Sequence, residues 1–162
     1  MESRAKFLGH PVHQMLIVFP LGLLATAVII DLVYFASDAL IFAEVAYWLV
    51  IAGLIGGAVA APFGFVDWRA IPENTRAKRI GAWHGLGNGV VLLLFLASAL
   101  LRSDLPAEPP ALAYVCSFAG ALIAPITAWL GGELVDRLGV GISDGAHVDA
   151  PSSLRSWRKR TT

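Results

Sequence analysis

The chain is 162 residues long, 57% hydrophobic and only 15% charged, against about 25% charged residues in an ordinary soluble domain. A mean hydropathy of +0.69 excludes both a water-soluble globule and a solvated disordered tail. Twelve Lys and Arg balance twelve Asp and Glu, so the basic excess of a nucleic-acid-binding domain is missing.

Taken in chain order, the N-terminus first imitates a cleavable signal peptide: Arg4 and Lys6 precede an apolar stretch and then Ala25-Thr26-Ala27. The apolar run continues through Val28-Ile29-Ile30 to Phe35, beyond the roughly 7–15 residues of a secretory segment. We therefore read 15–35 as a retained first span. Pro11 suits the first helical position, which makes His10 the cap and puts His13 in the first turn, pointing the same way as Gln14. Pro20 predicts a kink that frees the Leu16 carbonyl, and Asp31, near the far end, is expected to snorkel to the interface.

A tight turn at 36–41 leads to a second span, 42–65, carrying the small residues Gly56, Ala60 and Gly64. A longer polar connector, 66–79, holds Asp67 with Arg69, Arg76, Lys78 and Arg79. The third span, 80–101, opens with Gly81, Gly85 and Gly89 at every fourth position and sets His84 and Asn88 on one face. After a turn at 102–111, the fourth span, 112–134, has Cys116 as a small packing residue in its first turn. Gly120, Ala124, Ala128 and Gly132 follow, and then Glu133 and Asp136. Small residues at this spacing let helices approach closely. The lone cysteine can form no internal disulfide. Each run matches the roughly 20 residues needed to cross the hydrocarbon layer, so the fold class is an all-α integral membrane four-helix up-and-down bundle. It occupies 1–142, with a basic tail at 143–162 in which Arg155, Trp157, Arg158, Lys159 and Arg160 bind anionic lipid or anchor the topology.

Threading the chain back and forth puts Arg4, Lys6, Arg69, Arg76, Lys78, Arg79, Arg137, Arg155, Arg158, Lys159 and Arg160 on one side and only Arg102 on the other. The positive-inside rule then makes both termini cytoplasmic, in a multi-pass protein of a bacterial inner membrane. Tyr34, Tyr47, Trp48 and Tyr114 mark the outer interface, and Trp68, Trp83 and Trp129 the inner one. The same threading gathers His10, His13, Gln14, Asp67, His84, Asn88, Glu133 and Asp136 at the cytoplasmic end, where ionisable groups at membrane depth are functional candidates. The two halves, spans one and two against three and four, each begin with Gly and His and end with Gly and an acid, a 2+2 repeat about an axis along the membrane normal.

The segments GHPVHQMLIVFPLGLL, GFVDW, WHGLGN and WLGGELVDRLGVGI resemble a bacterial membrane family catalogued as domain of unknown function 2231, over about residues 7 to 142. The resemblance implies a four-helix inner-membrane protein whose relatives occur fused to or beside redox domains. It supplies no activity.

The residues admit several chemistries. His10 or His13 could face His84 across the bundle and ligate haem iron from both sides, with Asn88 beside them. Alternatively His10, His13, His84, Asp67 and Glu133 could surround iron, zinc or manganese. No HExxH, CxxCH, P-loop or Ser-His-Asp order is present, so enzymatic chemistry is not the leading expectation. The leading reading is a haem- or metal-binding redox-associated module in the lipid bilayer, with a redox protein partner and a capacity for homo-oligomers. The rival is a cofactor-free structural or partner-docking subunit whose polar cluster only fixes the bundle.

Overall fold

The computed structural model describes residues 1–154; the tail residues Arg155, Trp157, Arg158, Lys159 and Arg160 lie outside them. Two short strands, β1 (Lys6–Phe7) and β2 (His10–Pro11), precede five helices: α1 (Val12–Leu16), α2 (Val18–Ser37), α3 (Leu40–Ala70), α4 (Arg76–Arg102) and α5 (Ala111–Gly132). A π-helical turn, Glu133–Arg137, finishes the last helix. Four helical units, Val12–Ser37, Leu40–Ala70, Arg76–Arg102 and Ala111–Arg137, are long and apolar enough to cross a membrane. The fold class expected from the four apolar runs is the one observed.

Three boundaries differ from the sequence reading, each for a local reason. The first span is split at Ile17, where α1 ends and α2 begins. Pro20 has no N–H to give the Leu16 carbonyl, so the ladder lapses one turn earlier, as the kink required. The connector expected at 66–79 shrinks to Ile71–Thr75, because α3 runs on through Asp67 and Trp68 to Ala70. Thr75 then restarts the chain as N-cap of α4, its side chain accepting from Lys78 N–H. Lastly, His10 is not a cap: Pro11 takes that place and His10 pairs with Phe7 in an antiparallel hairpin. The hairpin turns on Leu8 and Gly9, both at positive φ (50° and 90°), the backbone of a tight two-residue loop. A leucine in that conformation is uncommon, which is why the turn left no mark in the sequence.

The bundle core is Leu24, Ala27, Val50, Val91, Phe95 and Ala99. The outward faces of the helices remain apolar and exposed, Leu93 and Leu122 among them, as a surface in contact with lipid should be. Trp83 and Trp129 stand exposed toward one end and Trp48 toward the other. Tyr114, expected beside Trp48 at the interface, is instead 7% exposed.

Candidate functional site

One end of the bundle, which carries the N-terminal segment, gathers the starts of the first and third spans and the ends of the second and fourth. There His13 (α1) and His84 (α4) meet across the bundle, ring centroids 6.5 Å apart and planes at 88°. His13 Nδ1 lies 3.0 Å from the Ala60 carbonyl oxygen of α3, and His84 Nδ1 lies 2.9 Å from that of Thr127 on α5. A carbonyl oxygen can only accept, so in both rings the proton sits on Nδ1 and Nε2 keeps its lone pair.

Each ring rests on a glycine one turn beyond its carbonyl partner. A Cβ on Gly64 would stand 2.7 Å from His13 Cε1, and one on Gly131 would stand 2.9 Å from His84 Cε1. Asn88 completes the site, donating to the His84 carbonyl oxygen at 2.9 Å, with its amide nitrogen 3.3 Å from His84 Nε2. Its Oδ1 stands 3.1 Å from the Thr127 hydroxyl.

The other expected members are engaged elsewhere. Asp67 accepts from the Ser3 hydroxyl at 2.8 Å and from Arg4 N–H at 2.7 Å, and so ties the N-terminal segment to α3. Glu133 pairs with Arg76. His10 is exposed, its Nε2 3.4 Å from Ser153 Oγ. Gln14 parts from His13 and reaches Gly141. Of the eight residues that the threading gathers at this end, His13, His84 and Asn88 meet, with Thr127 beside them, while Gln14, Asp67, Glu133 and His10 have other partners. Among the described residues no three of His, Cys, Asp and Glu form a group that could share one ion.

A second polar layer lies at the opposite end and corrects the sequence reading outright. Asp31 and Arg102 are both fully buried. Arg102 Nη1 and Nη2 donate to the two Asp31 carboxylate oxygens at 2.8 and 2.7 Å. Its Nε donates to Ser98 Oγ at 3.1 Å, and Nη2 lies 3.4 Å from Ser117 Oγ. The guanidinium carbon is 4.8 Å from the centre of the Tyr114 ring, which stacks in turn with Tyr34. Asp31 does not snorkel outward because a fork-shaped partner reaches it inside, and a bidentate pair satisfies both oxygens where water is excluded. The clue was Arg102 itself, at the end of an apolar run and at the depth of Asp31. From His84 to Arg102 the helical rise amounts to about 27 Å, so the two polar layers sit near the two faces of the hydrocarbon core.

The layers expose the internal repeat. His13 stands to His84 along the chain as Leu24 to Phe95, Ala27 to Ser98 and Asp31 to Arg102, always at the same separation. On the partner helices, Ala60 corresponds to Thr127, Gly64 to Gly131, Gly53 to Gly120, Val50 to Ser117 and Tyr47 to Tyr114, again at one separation. The contacts repeat with the numbering. Leu24 packs on Gly53 as Phe95 packs on Gly120, and His13 rests on Gly64 as His84 rests on Gly131. The histidine pair and the ion pair therefore each join equivalent positions of the two halves, which places both on the axis between them.

Over residues 9–144 the chain matches the model of a family described as Predicted membrane protein (DUF2231). Neither a curated protein nor a solved structure matches it.

Proposed function

The chain belongs to the DUF2231 family of predicted membrane proteins, and from that premise we propose that it is a membrane-embedded metal-binding module with His13 and His84 as its protein ligands. The observation that carries this reading is the matched anchoring of the rings: each gives its Nδ1 proton to a backbone carbonyl, at 3.0 and 2.9 Å. That is how metal-ligating histidines are oriented, with the proton on Nδ1 and the lone pair on Nε2; His84 Nε2 meets only the Asn88 amide. Rings 6.5 Å apart are within reach of a single ion bound to both nitrogens at about 2.0–2.1 Å.

The donor pair suits a bare ion better than a haem. The seam between α3 and α4 beside the pair is filled by Leu92 against Gly57 and by Trp68 against Gly81, which leaves no slot for a macrocycle on that side. Asp67, Glu133 and His10, expected as further ligands to iron, zinc or manganese, are engaged with Ser3, Arg76 and Ser153 and lie at the same end of the bundle. The basic asymmetry argues that this end faces the cytoplasm of a bacterial cell, where a redox protein could exchange electrons with the bound ion. A reporter fused after Thr162 should then be active only as a cytoplasmic reporter, and one inserted near Pro106 only as a periplasmic one; the reverse pattern removes the cytoplasmic assignment.

A second reading is favoured by Asn88, whose amide already meets His84: a cofactor-free subunit in which the polar cluster only sets the helix register. Metal analysis and a visible spectrum of detergent-purified protein, after growth with added metals and haem precursor, separate the two. We expect about one transition-metal ion per chain, lost in His13→Ala and His84→Ala while helix content is kept. Metal-free wild-type protein, together with a His84→Ala variant of lowered thermal stability, would leave the cofactor-free reading standing.

A further inference from the structure

Resting on that reading, we infer that the ion held between His13 and His84 is Cu(I). The site offers two imidazoles, and among the described residues no third His, Cys, Asp or Glu joins them in a metal-holding group. Zinc in proteins takes four ligands in a tetrahedron, ferrous iron typically adds a carboxylate to two histidines, and manganese prefers an oxygen-rich set. Monovalent copper, with a filled d shell, is the first-row ion content with two nitrogen donors in line. Imidazole suits it. Two planar ligands on opposite sides of such an ion turn freely about the line joining them, so ring planes at 88° carry no penalty.

Charge leads to the same ion. The carboxylates nearest the pair are already committed, Asp67 to Ser3 and the Arg4 and Ala5 amides and Glu133 to Arg76. A cation between two neutral imidazoles therefore arrives without a counter-charge, next to the fully or nearly fully buried Ala60 and Thr127. The solvation a cation forfeits on entering a low-dielectric site grows as the square of its charge, so a monocation forfeits about a quarter of what a dication does. A dication would call for a carboxylate, and Asp67 and Glu133 are held by other partners. The Asn88 amide, 3.3 Å from His84 Nε2, is also bonded to the His84 carbonyl at 2.9 Å. It can keep the second contact while the ring nitrogen takes the metal.

The test uses the full chain in detergent under anaerobic, reducing conditions. Cu(I) is supplied as its bicinchoninate complex, and Zn(II), Fe(II) and Mn(II) are run in parallel. We expect the protein to withdraw one equivalent of Cu(I) from the chelator, with an X-ray absorption spectrum of two nitrogen neighbours, and to bind the dications at least tenfold more weakly. His13→Ala and His84→Ala should each abolish the uptake; His13→Gln and His84→Gln, which keep polarity and bulk, guard against loss of fold, checked by circular dichroism. Zn(II) or Fe(II) bound in preference to Cu(I), with the same dependence on both histidines, overturns the copper assignment and leaves the metal site intact. Cu(I) uptake that survives both substitutions overturns the assignment to this pair. Failure of every metal to bind overturns this inference and the metal-site reading together.

Discussion

At the scale of single residues, two glycines set the histidine site. Gly64 and Gly131 contribute no side chain, and that absence lets an imidazole lie flat on α3 and on α5. Gly85, which shares the small-residue stripe of α4, meets nothing within 4 Å, and Gly89 likewise. The sequence pattern treats all of these glycines alike, because spacing shows that residues share a face and not which face the neighbouring helix covers. The difference can be measured. Gly64→Ala and Gly131→Ala should each push a ring off its carbonyl and lower both thermal stability and metal uptake, by about 1–3 kcal/mol in stability as expected for overpacking. Gly85→Ala should leave both unchanged or raise stability slightly, since alanine is the better helix former. Equal effects at Gly64 and Gly85, measured by thermal unfolding in detergent, would mean that the ring is not seated on Gly64.

At the scale of elements, the four spans were legible because a bilayer imposes a length on every crossing helix and forbids charge along it. Their ends were less so. The hydropathy of the second span fades at Phe65, yet α3 continues to Ala70, since nothing in Asp67-Trp68-Arg69 breaks a helix. Trp68 Nε1 donates to the Lys78 carbonyl at 3.1 Å across the short connector, with the Lys78 ammonium 4.3 Å from its ring. Asp67 was legible as a polar group at the right end of the bundle, but not as the anchor of Ser3, Arg4 and Ala5, because an N-terminal segment folding back through a Leu8-Gly9 turn carries no periodic signal. Hydropathy also weighs Asp31 and Arg102 as separate penalties. Their mutual satisfaction appears only when the first and third spans face each other.

At the scale of the whole molecule, the repeat explains why a buried ion pair stands at the end opposite the histidines. Where two similar halves meet on an axis, equivalent positions face each other, and identical charges there would repel. An aspartate on one half against an arginine on the other attracts, and favours the pairing of the first half with the second. The repeat was visible in the sequence only as Gly and His at the start of each half and Gly and an acid at its end. Its packing pairs, Leu24 with Gly53 and Phe95 with Gly120, share no residue type beyond glycine.

Equivalence on the axis makes a strict demand. Asp31→Arg alone brings two guanidinium groups together at fully buried positions, and Arg102→Asp alone brings two carboxylates together. Breaking a buried pair costs about 3–5 kcal/mol, so each single variant should be lost from the membrane or unfold far below the parent. The double exchange restores an ion pair and should recover most of that loss. It should still fall short of the parent, because the serines that support Arg102, Ser98 and Ser117, correspond in the other half to Ala27 and Val50, both fully buried. The missing bonds are worth about 1.5–3 kcal/mol each to a charged group. Adding Ala27→Ser and Val50→Ser to the double exchange should supply them and raise the thermal midpoint again. Yield of folded protein and unfolding temperature in detergent, compared across the series, give the answer. A double exchange no better than its single components would mean that Asp31 and Arg102 are not interchangeable about an axis, and the repeat would then describe the helix contacts without governing how the two halves recognise each other.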